Sequence, residues 1–381
     1  MTATMPQDEG ERSGRAVRWM LGAAGLAAVF VAGLLLVDRT APPGVREGSV
    51  AAERSSPGAA AEPARSRGTS RTGRTGEQAD AAASREDAVR AAAEERHLRG
   101  LLHEPDPRRR LVAMYLLAAK APDVATRRRM RAAIARLREE APEDALIAQA
   151  QEWLCGDRRD PCSDADRGAW MALEPGNAAS HLGPLRAAEG DPARQDAALR
   201  RMAQAGHYES HAHALALETV AAFDDYQPPP PGPVEQRFLR GLGLGEGPVT
   251  RRQVAAANHA WAMPMPSLSG ISRACRPPLP TARARDCRTV LRRMASATTS
   301  IERMVALSGL ERLSRGTPEH AYWAAASRRQ RWQGQQFASI ITDAGYWADF
   351  LRYGEVEAIQ RGLVRAGRPL DPPPGWRAAG G

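Results

Sequence analysis

The sequence predicts an all-α protein with a single N-terminal transmembrane helix, a disordered linker and an α-solenoid-like array of helical hairpins. Three observations carry this expectation. Alanine is abundant while aromatic residues make up 5% of the 381 positions; alanine is the best helix former, and the scarce aromatics are strand formers. Capping residues stand before segments of helical period, and no run alternates apolar and polar residues as a half-buried strand does. Finally, Trp19–Val37 carries no charge and approaches the ~20 residues a helix needs to cross a bilayer.

Around that stretch, residues 1–18 read as a cytoplasmic stub and 19–37 as the span. Arg12, Arg15 and Arg18 precede it, and Arg39, Arg46 and Arg54 follow more sparsely, a bias toward a cytoplasmic N-terminus. The apolar run exceeds the ~7–15 residues of a secretory signal core and has no small-residue cleavage site before Asp38-Arg39, so an uncleaved signal anchor is expected. Residues 38–82 are rich in Arg, Ala, Gly, Ser, Thr and Pro without apolar periodicity. Such a composition buries too little surface to offset the entropy of ordering and predicts a tether, reaching roughly 35–40 Å as a coil.

All four cysteines, Cys155, Cys162, Cys275 and Cys287, follow the span. An even count on an exported segment points to disulfides and an oxidising compartment. Local pairing, Cys155–Cys162 and Cys275–Cys287, is the simplest of the three connectivities. The spacings do not match short zinc-ligand spacings, and no C-x-x-C redox pair is present. The expected location is therefore the bacterial inner membrane, single pass, with the large C-terminal domain in the periplasm.

The helical text begins near residue 83 and runs to 225. Asp106-Pro107 and Asp191-Pro192 place a capping carboxylate before a proline at the first helical position; Thr317-Pro318 offers a hydroxyl cap, and Ser163 with Asp166 a capping box. Helices are expected over Pro107–Lys120, Val124–Glu140 and Glu143–Leu154, then at 164–173, 177–188 and 192–205. Leu111, Met114, Tyr115 and Leu117 share one face of the first. A connector at 226–248 contains Pro228–Pro231, which no helix continues through. A C-terminal helical region spans 249–368, with a loop near 263–285 closed by Cys275–Cys287, and 369–381 is read as a flexible tail.

Turn prolines recur at Pro105, Pro142 and Pro175, and one further interval lands on Tyr208, the dimension of a two-helix repeat. Leu173-Glu174-Pro175-Gly176-Asn177-Ala178-Ala179, followed by Gly190-Asp191, resembles the tetratricopeptide repeat family, in which an L-x-P-x-N-A turn opens one helix and Gly-Asp separates it from the next. The resemblance is specific over about one repeat within residues 142–225. His181 and Leu182 stand where that family has bulk, so the repeat is degenerate; a concave binding groove is what the resemblance implies. The order of span, tether, Trp153-Leu154-Cys155 with Cys162, then Cys287 and a late Leu370-Asp371-Pro372-Pro373-Pro374-Gly375-Trp376 resembles a group of membrane-anchored exported bacterial proteins. That likeness implies location, and no activity.

Several chemistries lack their residues. Lys120 is the only lysine and does not follow a phosphate-binding glycine loop; G-x-S-x-G and H-E-x-x-H are absent, and Gly241–Gly247 has neither the spacing nor the preceding strand of a dinucleotide loop. The 53 basic against 44 acidic residues, net +9, suit a polyanion. The near-exclusive use of arginine instead fits GC-rich codon usage, and no nucleic acid is expected. His207 and His211, four apart, would share a helical face and form a weak metal pair, but a polar helix entry is the favoured reading. No cofactor and no metal are expected. Trp323, Trp332, Phe337, Tyr346, Trp347, Phe350 and Tyr353 cluster late in the chain. Tyr346, Phe350 and Tyr353 make one helical stripe, read first as core packing. Trp323, Arg328, Arg329, Arg331 and Trp332 form a candidate binding surface, an aromatic platform for a glycan or a partner peptide whose arginines would suit an acidic ligand, with a solvated basic face as the favoured alternative. The expected function is a non-catalytic protein-binding or envelope scaffold module whose partner is an envelope protein or cell-wall polymer. The alternatives are a cell-envelope enzyme, such as a cell-wall hydrolase with converging carboxylates, and a polyanion-binding module.

Overall fold

The computed structural model describes residues 72–120, 124–153, 164–233, 235–236, 251–262, 267–341 and 343–378. The chain divides at Arg85 into two units, and the account below concerns the second, Glu86–Gly381. Among the described residues every regular element is helical, and the isolated extended pairing is a parallel bridge between Asn177 and His207. The fold is all-α. No described helix is long and apolar enough to cross a membrane. The expected span at 19–37, Cys155, Cys162, the Ser163 cap and Gly241–Gly247 lie outside the described residues. The expected tether ends sooner than its composition implied: 72–82 belong to the first helix, where the alanine run at 81–83 continues into the amphipathic text.

The helices are α1 (Thr72–Leu101), α2 (Pro107–Lys120), α3 (Val124–Glu140), α4 (Ala145–Trp153) and α5 (Asp164–Leu173), then a 3₁₀ turn (Ala178–His181) leading into α6 (Leu182–Ala187). There follow α7 (Pro192–Gln204), α8 (Ala212–Ala222), α9 (Arg251–Ala262), α10 (Ser269–Ala274), α11 (Thr281–Met294), α12 (Ser300–Leu313), α13 (His320–Gln336), α14 (Ala344–Tyr353) and α15 (Glu355–Arg365).

Local chemistry explains the starts. Asp106 accepts from Arg108 N at 2.8 Å, Asp144 from Leu146 N at 2.9 Å, and Asp191 from Arg194 N at 3.1 Å, each satisfying an amide that the helix itself cannot. Thr317 behaves differently from its expected role. Its hydroxyl donates back to Ser314 O at 2.7 Å, and α13 begins later, after Glu319, without a side-chain cap. A local hydroxyl-to-carbonyl bond at the end of α12 has outcompeted the cap.

Among the described residues, three buried apolar clusters hold these helices. The first joins Trp170, Leu182, Leu185, Leu199 and Met202 to Ile271, Val290, Leu291, Met294 and Leu310. The second surrounds α2, where Leu111, Val112, Tyr115 and Leu116 meet Leu98, Ile134, Leu137 and Phe223. Met114 and Leu117 sit at the margin of that face, which centres on Val112 and Tyr115 because α3 and α8 flank the helix on both sides. The third contains Phe337, Ile340, Tyr346, Trp347 and Phe350 against Ile359 and Leu363.

The connector at 226–248 does not separate cores. Ala256 joins the second cluster and Ala260 the third, and α11 packs on α7 as well as on α12. Cys275 and Cys287 are bonded, with Cα atoms 5.6 Å apart, and tie the end of α10 to α11. Closing that short loop contributes about 2–3 kcal/mol. Between α14 and α15, Gly354 has φ +87°, and a Cβ there would lie 2.9 Å from Thr298 Cβ, so a side chain is excluded by backbone and by space.

Candidate functional site

The surface anticipated on α13 divides into three parts. At its N-terminal end Tyr322 is 66% exposed, and its ring meets Trp323 edge-on at 4.7 Å. Trp323 is half-buried against the first core cluster, and its indole N–H reaches Glu319 at 3.4 Å. Glu319 also accepts from Arg292, whose Nη2 alone reaches both carboxylate oxygens, at 2.7 and 2.8 Å; that guanidinium, with the Trp323 donor, lowers its carboxyl. Arg328 is exposed. Arg331 turns inward, 3.5 Å from Glu311 on α12.

The third part, Arg329 with Trp332, is occupied by the chain's own C-terminal segment. Arg329 pairs with Asp371 at 2.5 Å, Trp332 donates to Pro369 O at 2.9 Å, and Gln333 donates to Leu370 O at 3.1 Å. Trp376 closes over the Trp332 ring at 5.6 Å. Residues 369–376 are thus bound to α13 rather than hanging free as a tail. Their prolines leave backbone carbonyls without competing internal donors, and these carbonyls take the donors that α13 presents.

The late aromatic group is otherwise core. Phe337, Tyr346, Trp347 and Phe350 pack together, with Tyr346 fully buried, while Tyr353 lies beneath Arg361 at 4.2 Å.

His207 and His211 do not share a helical face. The segment before α8 is extended, His211 adopts φ +50° at the helix entry, and His207 is exposed, its carbonyl accepting from Ala178 N at 2.8 Å. His211 instead reaches Glu174 at 2.9 Å. Glu174 also accepts from the Trp170 indole at 2.7 Å and from Asn177 Nδ2 at 2.9 Å. Burial acts to raise the Glu174 carboxyl, but the Asn177, His211 and Trp170 donors outweigh it and hold the group below its ordinary range. Asn177, fully buried, accepts from Ala179 N and Glu209 N and donates to Glu209 O. It stitches the Glu174–Ala179 turn to the extended entry of α8. Among the described residues no three potential metal ligands converge.

Next along that entry, Tyr208 donates to Glu302 at 2.8 Å, and the Thr299 hydroxyl donates to the same carboxylate at 2.5 Å. Glu302 is 1% exposed, and burial raises it despite donors from Thr299, Ser210 and Tyr208. Glu355 lies at the neighbouring helix start, where it accepts from Ser300 N at 2.7 Å, and burial raises it too. Their bonds lie within the protein, Glu302 to Thr299 at the first turn of α12 and Glu355, which opens α15, to Ser300 N. Sequence reasoning missed this network. Thr299-x-x-Glu302 has capping-box spacing and was legible; Tyr208 carries no local signal of its distant partner.

No family model matches this chain, and no curated protein or solved structure is similar to it.

Proposed function

We propose that this is a membrane-anchored periplasmic helical-repeat protein that binds an acidic segment of an envelope protein without catalysing a reaction. The N-terminal span anchors it, the tether supplies reach, and a degenerate hairpin array over residues 142–225 forms its frame. The observation that carries the binding role is the exposed Tyr322 held edge-on against half-buried Trp323, with Arg328 exposed further along the same helix. A large aromatic held edge-on by a half-buried neighbour loses little further freedom on docking, and aromatics with arginine dominate interface energetics. The inward commitment of Glu302 supports a structural rather than catalytic use of the carboxylates.

The test is photo-cross-linking in living cells from a reactive residue at Tyr322. A reproducible envelope partner, lost in Arg328→Glu, supports the reading. Cross-links unchanged by Arg328→Glu refute the acidic recognition, and an empty result refutes the surface. Phosphatase fusions examine the topology separately, since activity confined to fusions before Trp19 would reverse it.

A further inference from the structure

Arg303 occupies a place that neither its helix nor its neighbours explain. It is the fourth residue of α12 (Ser300–Leu313), which packs against α13, so its charge meets the positive end of the helix dipole, where acids are favoured. Its side chain is half-buried, and its buried Nε has no hydrogen-bond partner among the described residues. Burial and the charge of Arg329 lower the guanidinium, against smaller opposing effects of Glu357 and Tyr322. Arg303 therefore lies within electrostatic reach of Tyr322 and Arg329, which stand about two turns apart on α13.

The acids around it are committed to other groups. Glu302, next in sequence, bonds Tyr208 and Thr299; Glu357 pairs with Arg361 at 2.9 Å, and Asp371 with Arg329 at 2.5 Å. The bland account is a snorkelling side chain that rests its methylenes on apolar neighbours and leaves its head in water. That account covers the half-buried stem. It does not cover a buried donor without an acceptor, next to a like charge and at the disfavoured end of a helix, three local costs that packing of the stem does not require. An arriving carboxylate would offset the charge of this half-dry guanidinium and match its planar fork. The Arg329–Asp371 pair shows the same chemistry nearby, since this face already holds an aspartate carried by a non-helical, proline-rich segment.

We propose that the Arg303 guanidinium receives a side-chain carboxylate of the acidic partner segment in bidentate contact, next to Tyr322. This rests on the reading of α13 as a surface for an acidic segment and names the group that selects the acid. Arg329, already held by Asp371, contributes positive potential rather than a contact.

The experiment is fluorescence anisotropy of a dye-labelled octaglutamate peptide with full-length protein in neutral detergent micelles. Saturable binding is expected, weakened at least tenfold by Arg303→Gln, at least threefold by Arg303→Lys, and unchanged by Arg200→Gln, which removes an exposed charge on α7. Lysine keeps the charge but not the fork, and its variant keeps the test valid if Arg303→Gln fails to fold. Wild-type affinity in Arg303→Lys would overturn the bidentate contact. Binding that Arg303→Gln weakens no more than Arg200→Gln does, or no saturable binding at all, would overturn the Arg303 site. The underlying reading fails separately: a Tyr322 cross-link that still returns a partner lost in Arg328→Glu keeps the acidic surface while the role of Arg303 falls.

Discussion

Replacing Glu152 with glutamine should make the protein more stable, and the gain should grow with pH. Glu152 lies on α4, 6% exposed, its carboxyl packed against the backbone at Gly183. Its Oε2 has no hydrogen-bond partner among the described residues. Burial pushes the group up to about 8 from 4.5, while a bond to the Gly183 backbone opposes the shift. Between those values the unfolded chain has released the proton that the folded chain retains. Stability therefore falls as pH rises, by about 1.4 kcal/mol per unit at most. The accumulated cost at pH 7 is about 3 kcal/mol, and above the folded value it stops growing. Glu152→Gln keeps the shape and an acceptor for Gly183 but removes the titration. Urea unfolding, followed by helical circular dichroism from pH 4.5 to 8.5, compares the two proteins. Their difference should start near zero and rise to about 3 kcal/mol at pH 7. A difference that stays flat over this range would refute the reasoning, because it would mean that Glu152 ionises in the folded protein as it does in the unfolded chain.

Tyr208→Phe removes one donor from the nearly inaccessible Glu302 carboxylate and should cost about 1–3 kcal/mol in the same unfolding assay. Glu174 behaves in the sense opposite to Glu152: its lowered folded value contributes stability that is present above the ordinary carboxylate range and lost as pH falls through that value. Glu174→Gln should therefore be less stable than wild type at pH 7, with the two converging as pH falls through the lowered value of Glu174. Trp376→Ala removes the ring that closes over Trp332. Hydrogen exchange should quicken for the described amides of 369–376 and stay unchanged in α2, and equal exchange in both proteins would show that Trp376 does not hold this segment.

Much of the secondary structure was legible without coordinates. Pro107–Lys120 and Val124–Glu140 occur with their expected ends, and Asp106 and Asp191 cap as expected. Thr317 shows the limit even of local rules, since its hydroxyl had a nearer acceptor in Ser314. The His207–His211 spacing was readable only on the assumption of a helix, and the bridge to Asn177 with the positive φ of His211 made that stretch extended.

By itself, the sequence determined that the chain is helical and where most described helices begin, because capping and amphipathic period act within about four residues. Tertiary structure alone decided that Tyr208 meets Glu302, that Pro369 and Leu370 cover Trp332 and Gln333, and that Arg303 comes within the influence of Arg329. Those groups come from distant segments, and their burial, charge and hydrogen bonding exist only once packing has brought the segments together.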